Sequence, residues 1–382
     1  MRRGFDLVAC VSAAALLMLP GGVSAQSTQR AGTLVSAQPR STAPAGMRAW
    51  RVTYWTTSDR NRPIRVTGMV IAPDAPADRA PRRVIAWTHG LVGIADRCAP
   101  SVGDGNFTVI PGLQDAIRRG YTVVAPDYPG LGSDGVHPAL VGQSEGRSTL
   151  DAVRAARAIP QAHAGTRFAV WGESQGGHAA LWTGQIWPDY APDLQLTGTA
   201  AAVPPTDLAL NFAEGSDLRV RAMLTAYVAT SWSRHYGAPM ADLGSRSVQN
   251  VMTRLADNNC VEFHAKPKLG TIIGIVIAQR AIRNLDLSAK QPWGRLMREN
   301  SPSPAAIPVP ALIATGTGDV VVAPAVVRDF ARRACRNGKT IRYISVQGGE
   351  HATVARTEAQ ATLDWIEARF AGRPAPSDCR EL

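Results

Sequence analysis

Long hydrophobic runs are missing from this chain. Its most apolar stretches, from Val8 to Leu19 and the TIIGIVIAQ segment starting at Thr271, fall short of the roughly 20 residues a helix needs to span a bilayer. Aromatic residues are scarce, at 6%. Lys and Arg outnumber Asp and Glu by 41 to 30, a net charge of +11, yet the cations form neither a run of five nor a stripe interleaved with aromatics. That pattern argues against nucleic-acid recognition, while a scattered basic surface suits transient adsorption to an anionic lipid interface. The five cysteines include no C-x-x-C pair and no His/Cys spacing of a zinc set, so no metal is expected. No internal repeat is visible. What remains is 382 residues, 45% of them hydrophobic, enough for one large core or two modest ones.

The opening MRRGFDLVACVSAAALLMLPGGVSAQ has two arginines, an apolar stretch, a Pro-Gly-Gly breaker and a small-x-small site at Val23-Ser24-Ala25. It reads as a signal peptide over residues 1–25, cleaved after Ala25, with a secreted or periplasmic destination. Arg2-Arg3-Gly4-Phe5 is similar to a twin-arginine signal, which bears on the route and not on the destination. Cys10 precedes most of the apolar stretch, so lipidation there is not expected. The remaining Cys98, Cys260, Cys335 and Cys379 enter an oxidising compartment, where two disulfides are expected out of three pairings.

Past a Ser/Thr/Pro-containing lead-in to about residue 47, AWRVTYWTT and PIRVTGMVIAP suit a hairpin of antiparallel strands. From Arg82 short apolar strands alternate with helices. RRVIAWTHG, YTVVAPD, RFAVWGES and QLTGTAAAVPP read as strands; LQDAIRRG, GRSTLDAVRAARAI and GGHAALWTGQIW read as helices. This alternation is that of a mostly parallel α/β sheet with helices on both faces. The rhythm breaks over 209–304, a helical interval containing LRVRAMLTAYVATSW and LGTIIGIVIAQRAIRNL, and resumes with VPALIATGTGD, APAVVRDFARRACRNG, TIRYISVQGG and a last helix. The expected organisation is an α/β core over 26–208 and 305–382 with a helical cap inserted between two strands. A separate helical domain is the alternative.

Two G-x-S-x-G pentads occur, at Gly142–Gly146 and Gly172–Gly176. A nucleophile elbow needs a strand, a sharp turn holding Ser at positive φ, a helix starting at once, and small residues two before and two after the serine. Ser174 meets each requirement. Ser144 stands where a helix N-cap would, ahead of RSTLDAVRAARA. A serine nucleophile needs a base, and the base an orienting acid. His351, in the Gly-rich loop SVQGGEHAT after the last strand, is the expected base. Asp319, ending ALIATGTGD, is the expected acid; Asp207 is the alternative, although Asp after Pro-Pro-Thr suits the first turn of a helix. His178 is expected to pack beside the elbow. His137, His163, His235 and His264 lack a strand-end context and are expected to be surface or structural. Oxyanion donors are expected from the N–H of Gln175 and, in THGLVG, that of Leu91, with His89 fixing the loop. GLGSDG at Gly130–Gly135 matches a dinucleotide fingerprint but is followed by Val-His-Pro and not by a helix, so no cofactor is expected.

The order Ser174, Asp319, His351, with THGLVG, PDYPGLG, GESQGGHAA, PPTDL, GTGDVVV and GGEHAT, resembles the α/β-hydrolase superfamily and, within it, the secretory lipase family of fungal lipase A enzymes and bacterial relatives. The resemblance implies a mostly parallel sheet with a helical lid, and hydrolysis of carboxylic esters through Ser174, Asp319 and His351. It also implies the pairings Cys98–Cys260 and Cys335–Cys379. The cap is matched only in position and length, so acyl-chain preference does not carry over. The expected function is thus a secreted serine esterase or lipase acting on small-molecule or lipid esters. Other acyl transfer on the same residues, or a non-catalytic binding protein of this fold, are the rivals.

Overall fold

A computed structural model describes residues 1, 29–76, 80–103, 106–261 and 268–382. Residues 2–25 of the expected leader and His264 lie outside the described residues. Nine strands form one sheet: β1 (Leu34–Pro39), β2 (Met47–Thr57), β3 (Pro63–Pro73), β4 (Arg82–Thr88), β5 (Thr122–Pro126), β6 (Ala164–Glu173), β7 (Gln195–Ala202), β8 (Ala311–Gly316) and β9 (Ile341–Val346). Their spatial order is β1-β2-β3-β5-β4-β6-β7-β8-β9. The first three pair antiparallel, and β3 pairs antiparallel with β5. From β5 through β9 all neighbours are parallel. This is the α/β-hydrolase fold.

Strands covered on both faces become continuous apolar runs. TVVAP of β5 and ALIATG of β8 are buried at every position. The helices are α1 (Leu113–Arg118), α2 (Gly142–Ala156), α3 (Gln175–Tyr190), α4 (Leu208–Glu214), α5 (Leu218–Tyr236), α6 (Arg246–Asn258), α7 (Leu269–Ile282), α8 (Trp293–Asn300), α9 (Pro324–Arg336), α10 (Val354–Thr357) and α11 (Ala359–Phe370). On one sheet face Leu150 and Val153 of α2 and Ala180 of α3 pack against Val84, Val124, Phe168 and Val170. On the other, Ile117 of α1 and Leu363 and Ile366 of α11 pack against Ile85, Val123 and Trp171. The chain leaves the sheet after β7, forms α4 to α8, and returns to β8.

Three local differences from the sequence reading have physical causes. The lead-in contains β1, an edge strand whose mixed burial and terminal proline hide its period. The last expected helix is two, α10 and α11, parted at Glu358. Ser144 is not an N-cap. Helix α2 starts two residues earlier, with Val141 as its cap, and puts Ser144 buried inside the first turn.

Candidate active site

Strand β6 ends at Glu173 and α3 begins at Gln175, leaving Ser174 alone in the turn at φ 56°, ψ −122°. Holding a non-glycine residue there costs on the order of 1–3 kcal/mol, which the surroundings must impose. They do so by close approach. A Cβ on Gly172 would lie 2.0 Å from Thr88 Oγ1, and one on Gly176 would lie 1.8 Å from the carbonyl oxygen of Thr88. Ser174 N–H donates to Ala202 O on the neighbouring strand at 2.9 Å.

The loops after β8 and β9 bring the next two side chains. They are stitched together: Thr317 N–H donates to Val346 O at 3.0 Å, Gly318 N–H to Gly349 O at 3.0 Å, and Gly348 N–H to Thr317 Oγ1 at 2.7 Å. In this frame the Asp319 carboxylate accepts from the N–H groups of Val321 (2.8 Å) and Val322 (2.9 Å) through Oδ1, leaving Oδ2 for His351 Nδ1 at 2.8 Å. A carboxylate accepts only, so Nδ1 carries the proton and Nε2 is left to accept from the Ser174 hydroxyl, 2.8 Å away. The Asp319 side chain is 1% exposed and that of His351 13%.

The loop after β4 crosses the elbow: a Cβ on Gly90 would stand 3.5 Å from Ser174 Cβ. His89 fixes it, with Nδ1 2.7 Å from Gly90 O and Nε2 3.3 Å from Asp127 O, and its ring packs against that of Tyr128, tilted by 36° with centroids 4.4 Å apart. Burial pushes the His89 pKa down. Asp127 in turn accepts from Thr67 Oγ1, Ser101 Oγ and Ser101 N–H. Leu91 follows, beside Ser174 and Gln175 at a cleft partly open to solvent. The cleft is apolar. Leu140, Leu208, Phe212, Val220, Leu224 and Val228 contribute to its walls, mostly from α4 and α5. Gln175 is the first residue of α3, so its N–H has no intrahelical acceptor.

The sequence model of the family described as secretory lipase matches residues 108–378. The chain belongs to the secretory lipase family. Lipase 6 of Candida albicans is 24% identical over 343 residues, spanning 80% of this chain and 69% of that protein. A probable inactive lipase of Mycobacterium tuberculosis is 22% identical over 349 residues, covering 87% and 75%. Among solved structures, Candida antarctica lipase A superposes with a TM-score of 0.72 at 17% identity over 92% of this chain and 84% of that one. The rice cell wall degrading esterase LipA from Xanthomonas oryzae superposes with 0.71 at 19%, covering 90% and 98%. At these identities the structural likeness speaks for the fold.

Around its elbow the chain carries Glu145, a residue that the sequence reading did not single out, with partners from α3 and, through His178, α8. Glu145, fully buried, accepts from Leu140 N–H (3.0 Å) and Gln175 Nε2 (2.7 Å) and contacts His178 Nδ1 at 2.8 Å. His178 Nε2 meets Asn300 O, at the end of α8, at 2.6 Å, and Trp182 Nε1 donates to the same oxygen at 3.0 Å. His137 is also fully enclosed. Burial lowers its pKa to about 4, and its neutral ring donates from Nδ1 to Pro129 O at 2.9 Å, with Nε2 3.3 Å from Gln175 Nε2. Glu145 is the fourth residue of the second pentad. That pentad's glycines serve packing: a Cβ on Gly142 would stand 2.1 Å from the Trp182 ring, and one on Gly146 2.9 Å from Ile186. A G-x-x-x-G spacing on a helix was the available signal. Among the described residues, Ser144 Oγ has no hydrogen-bond partner.

Glu173, immediately before Ser174, has its carboxyl pushed up to about 7 by burial, opposed by the nearby His351 and Arg356 and reinforced by Asp319. Asp207 stands apart as the N-cap of α4, accepting from Leu210 N–H at 3.1 Å. His235 pairs with Asp59 at 2.9 Å, and His163 closes a turn at φ 49°. Cys98 and Cys260 are joined, as are Cys335 and Cys379, with sulfurs 2.03 and 2.02 Å apart. The Gly130–Gly135 segment runs as a loop, with the next helix starting only at Gly142.

Proposed function

We propose that this secretory lipase is an exported serine hydrolase of carboxylic esters with apolar acyl groups. The observation that carries the reading is the continuous relay from Asp319 through His351 to Ser174, 2.8 Å at each step, at the mouth of an apolar cleft. Ser174 Oγ attacks the ester carbonyl as its proton passes to His351 Nε2, and Asp319 holds the imidazole in the required tautomer and balances the imidazolium. The N–H groups of Gln175 and Leu91 receive the negative charge that develops on the carbonyl oxygen, donors worth about 3–4 kcal/mol each in comparable sites. His351 then protonates the leaving alcohol. Water, deprotonated by the same histidine, releases the acid and restores Ser174. The residues 209–304 serve as a cap whose α4 and α5 side chains enclose the acyl group.

One relative is named a probable inactive lipase, so family membership alone does not decide activity. Here Ser174, His351 and Asp319 all carry the groups the chemistry needs. The test is a series of p-nitrophenyl esters of rising chain length set beside aminoacyl anilides, with fluorophosphonate labelling of wild type and Ser174→Ala. Turnover of the esters and labelling lost in Ser174→Ala are expected. Labelling that survives the substitution overturns the nucleophile, and preference for the anilides overturns the ester reading.

A further inference from the structure

Most of the cap turns its apolar side chains inward, and α7 does the opposite. Leu269 is 73% exposed, Ile272 46%, Ile273 52%, Val276 40% and Ile277 37%. These positions follow the i, i+3, i+4, i+7 rule and so form one stripe along the helix. The opposite face is already satisfied: Ala278 and Ile282 pack with Ala222 and Ala226 of α5 and Met252 and Leu255 of α6, and a Cβ on Gly274 would lie 2.9 Å from Leu255. The outer stripe is therefore surplus to the fold. Contiguous exposed apolar surface of this kind marks an interaction site.

Its charges say what it meets. Between residues 268 and 284 the charged side chains are Lys268, Arg280 and Arg283, all exposed, with no carboxylate among them. They bracket the apolar stripe at its two ends. A second copy of the chain docked by two-fold symmetry on this helix would set these cations against their own mates, on a protein already at +11. An anionic lipid surface has the opposite complement: negative headgroups for Lys268, Arg280 and Arg283, and acyl chains for the stripe between them. Too short to span, such a helix lies in the interface plane. On its inner side α7 packs on α5, whose Val220, Leu224 and Val228 line the cleft beside Ser174. The docking surface and the cleft wall are thus carried by neighbouring helices of one packed cluster.

We propose that α7 is the surface by which this protein docks on anionic lipid, inserting Leu269, Ile272, Ile273 and Val276 between headgroups held by Lys268, Arg280 and Arg283. The biological use of this docking rests on the ester-hydrolase reading; the binding itself does not. The experiment is co-sedimentation of the full chain with vesicles of phosphatidylcholine alone and of equal parts phosphatidylcholine and phosphatidylglycerol. Wild type should partition onto the anionic vesicles. Leu269→Asp/Ile273→Asp, both at exposed positions, should weaken that partition at least roughly tenfold while leaving turnover of soluble p-nitrophenyl acetate unchanged. Arg280→Gln/Arg283→Gln should erase much of the preference for anionic over neutral vesicles. A Leu269→Trp variant reports insertion directly by a blue-shifted emission, without depending on a disruptive substitution. Unaltered partition of Leu269→Asp/Ile273→Asp, or no emission shift from Leu269→Trp, overturns the proposal. So does a wild-type dimer in gel filtration that the same double variant dissociates. Vesicle binding by a protein that turns over no ester would sink the function reading and leave the docking surface standing.

Discussion

Replacing Glu173 by Gln should make the protein resist alkaline destabilisation. The carboxyl sits beside Ser174 with its pKa raised from the ordinary 4.5 to about 7 by burial. Between these two values the folded chain holds a proton that the unfolded chain has released, so stability falls as pH rises through this range. The sign follows from linkage: the favourable contribution is complete below pH 4.5 and lost above pH 7. At about 1.4 kcal/mol per pH unit of displacement, the full span is about 3 kcal/mol, of which about 2 kcal/mol is lost between pH 5.5 and pH 8. Glutamine keeps the shape and cannot ionise. Guanidinium unfolding of wild type and Glu173→Gln at both pH values isolates the effect, because titrating groups that do not interact with Glu173 cancel in the difference. The variant's advantage over wild type should be about 2 kcal/mol greater at pH 8 than at pH 5.5, with equal denaturant slopes. An advantage that does not change with pH would refute the reasoning, since Glu173 would then titrate alike in folded and unfolded chains.

Asp319→Asn should lower kcat on p-nitrophenyl esters by about 10⁴-fold with KM little changed, because an amide facing Nδ1 favours the wrong tautomer of His351; a loss under tenfold in steady-state kinetics would remove Asp319 from the proposed relay. Gly142→Ala should destabilise the fold by about 1–3 kcal/mol in chemical denaturation, since its methyl group would overlap the Trp182 ring at 2.1 Å, whereas Gly120→Ala, whose Cβ would meet nothing within 4 Å but needs φ +83°, should show only the smaller backbone cost. Removing the Cys98–Cys260 link, which closes a separation of 162 residues, should cost about 5 kcal/mol against about 4 kcal/mol for Cys335–Cys379 with 44, as read from denaturation of the paired Cys→Ala variants.

The parts of this protein that were legible in its sequence are those governed by local rules. Strand and helix periods, with the glycines around Ser174, announce the sheet and the elbow, and short strand-end loops place Asp319 and His351 in reach of it. The contacts that cross between distant segments were not legible. Nothing around Glu145 announces that its carboxylate will meet Gln175, His178 and the Leu140 N–H, because those partners come from another helix and a loop that only the packed sheet brings together. His137 lies in a Gly- and Pro-rich loop, ordinarily a surface context, yet it is 1% exposed because α5 folds over it and Ser231 Oγ donates to its carbonyl oxygen. Glu173 looked like one letter of a motif. Its raised pKa comes from burial at the strand end, a property of the neighbourhood and not of the pentad.

The way the inserted helices attach explains why their outer face is free to be apolar. Their contacts with the α/β core include buried polar tethers: Trp232 Nε1 donates to Ala139 O at 2.8 Å, Ser231 Oγ to His137 O at 2.6 Å, and Asn300 O receives both His178 and Trp182. At the far end, Val261 N–H donates to Val92 O at 2.9 Å beside the Cys98–Cys260 link, one residue from Leu91. A buried hydrogen bond whose groups pass to water costs about 0.5–1.5 kcal/mol net, so releasing these five together would cost several kcal/mol, a sizeable share of a domain's margin of about 5–15 kcal/mol. The insertion is therefore a platform held in register with Ser174. On the docking proposed for α7, lipid would meet helices that several buried bonds and one disulfide tie to the core carrying Ser174.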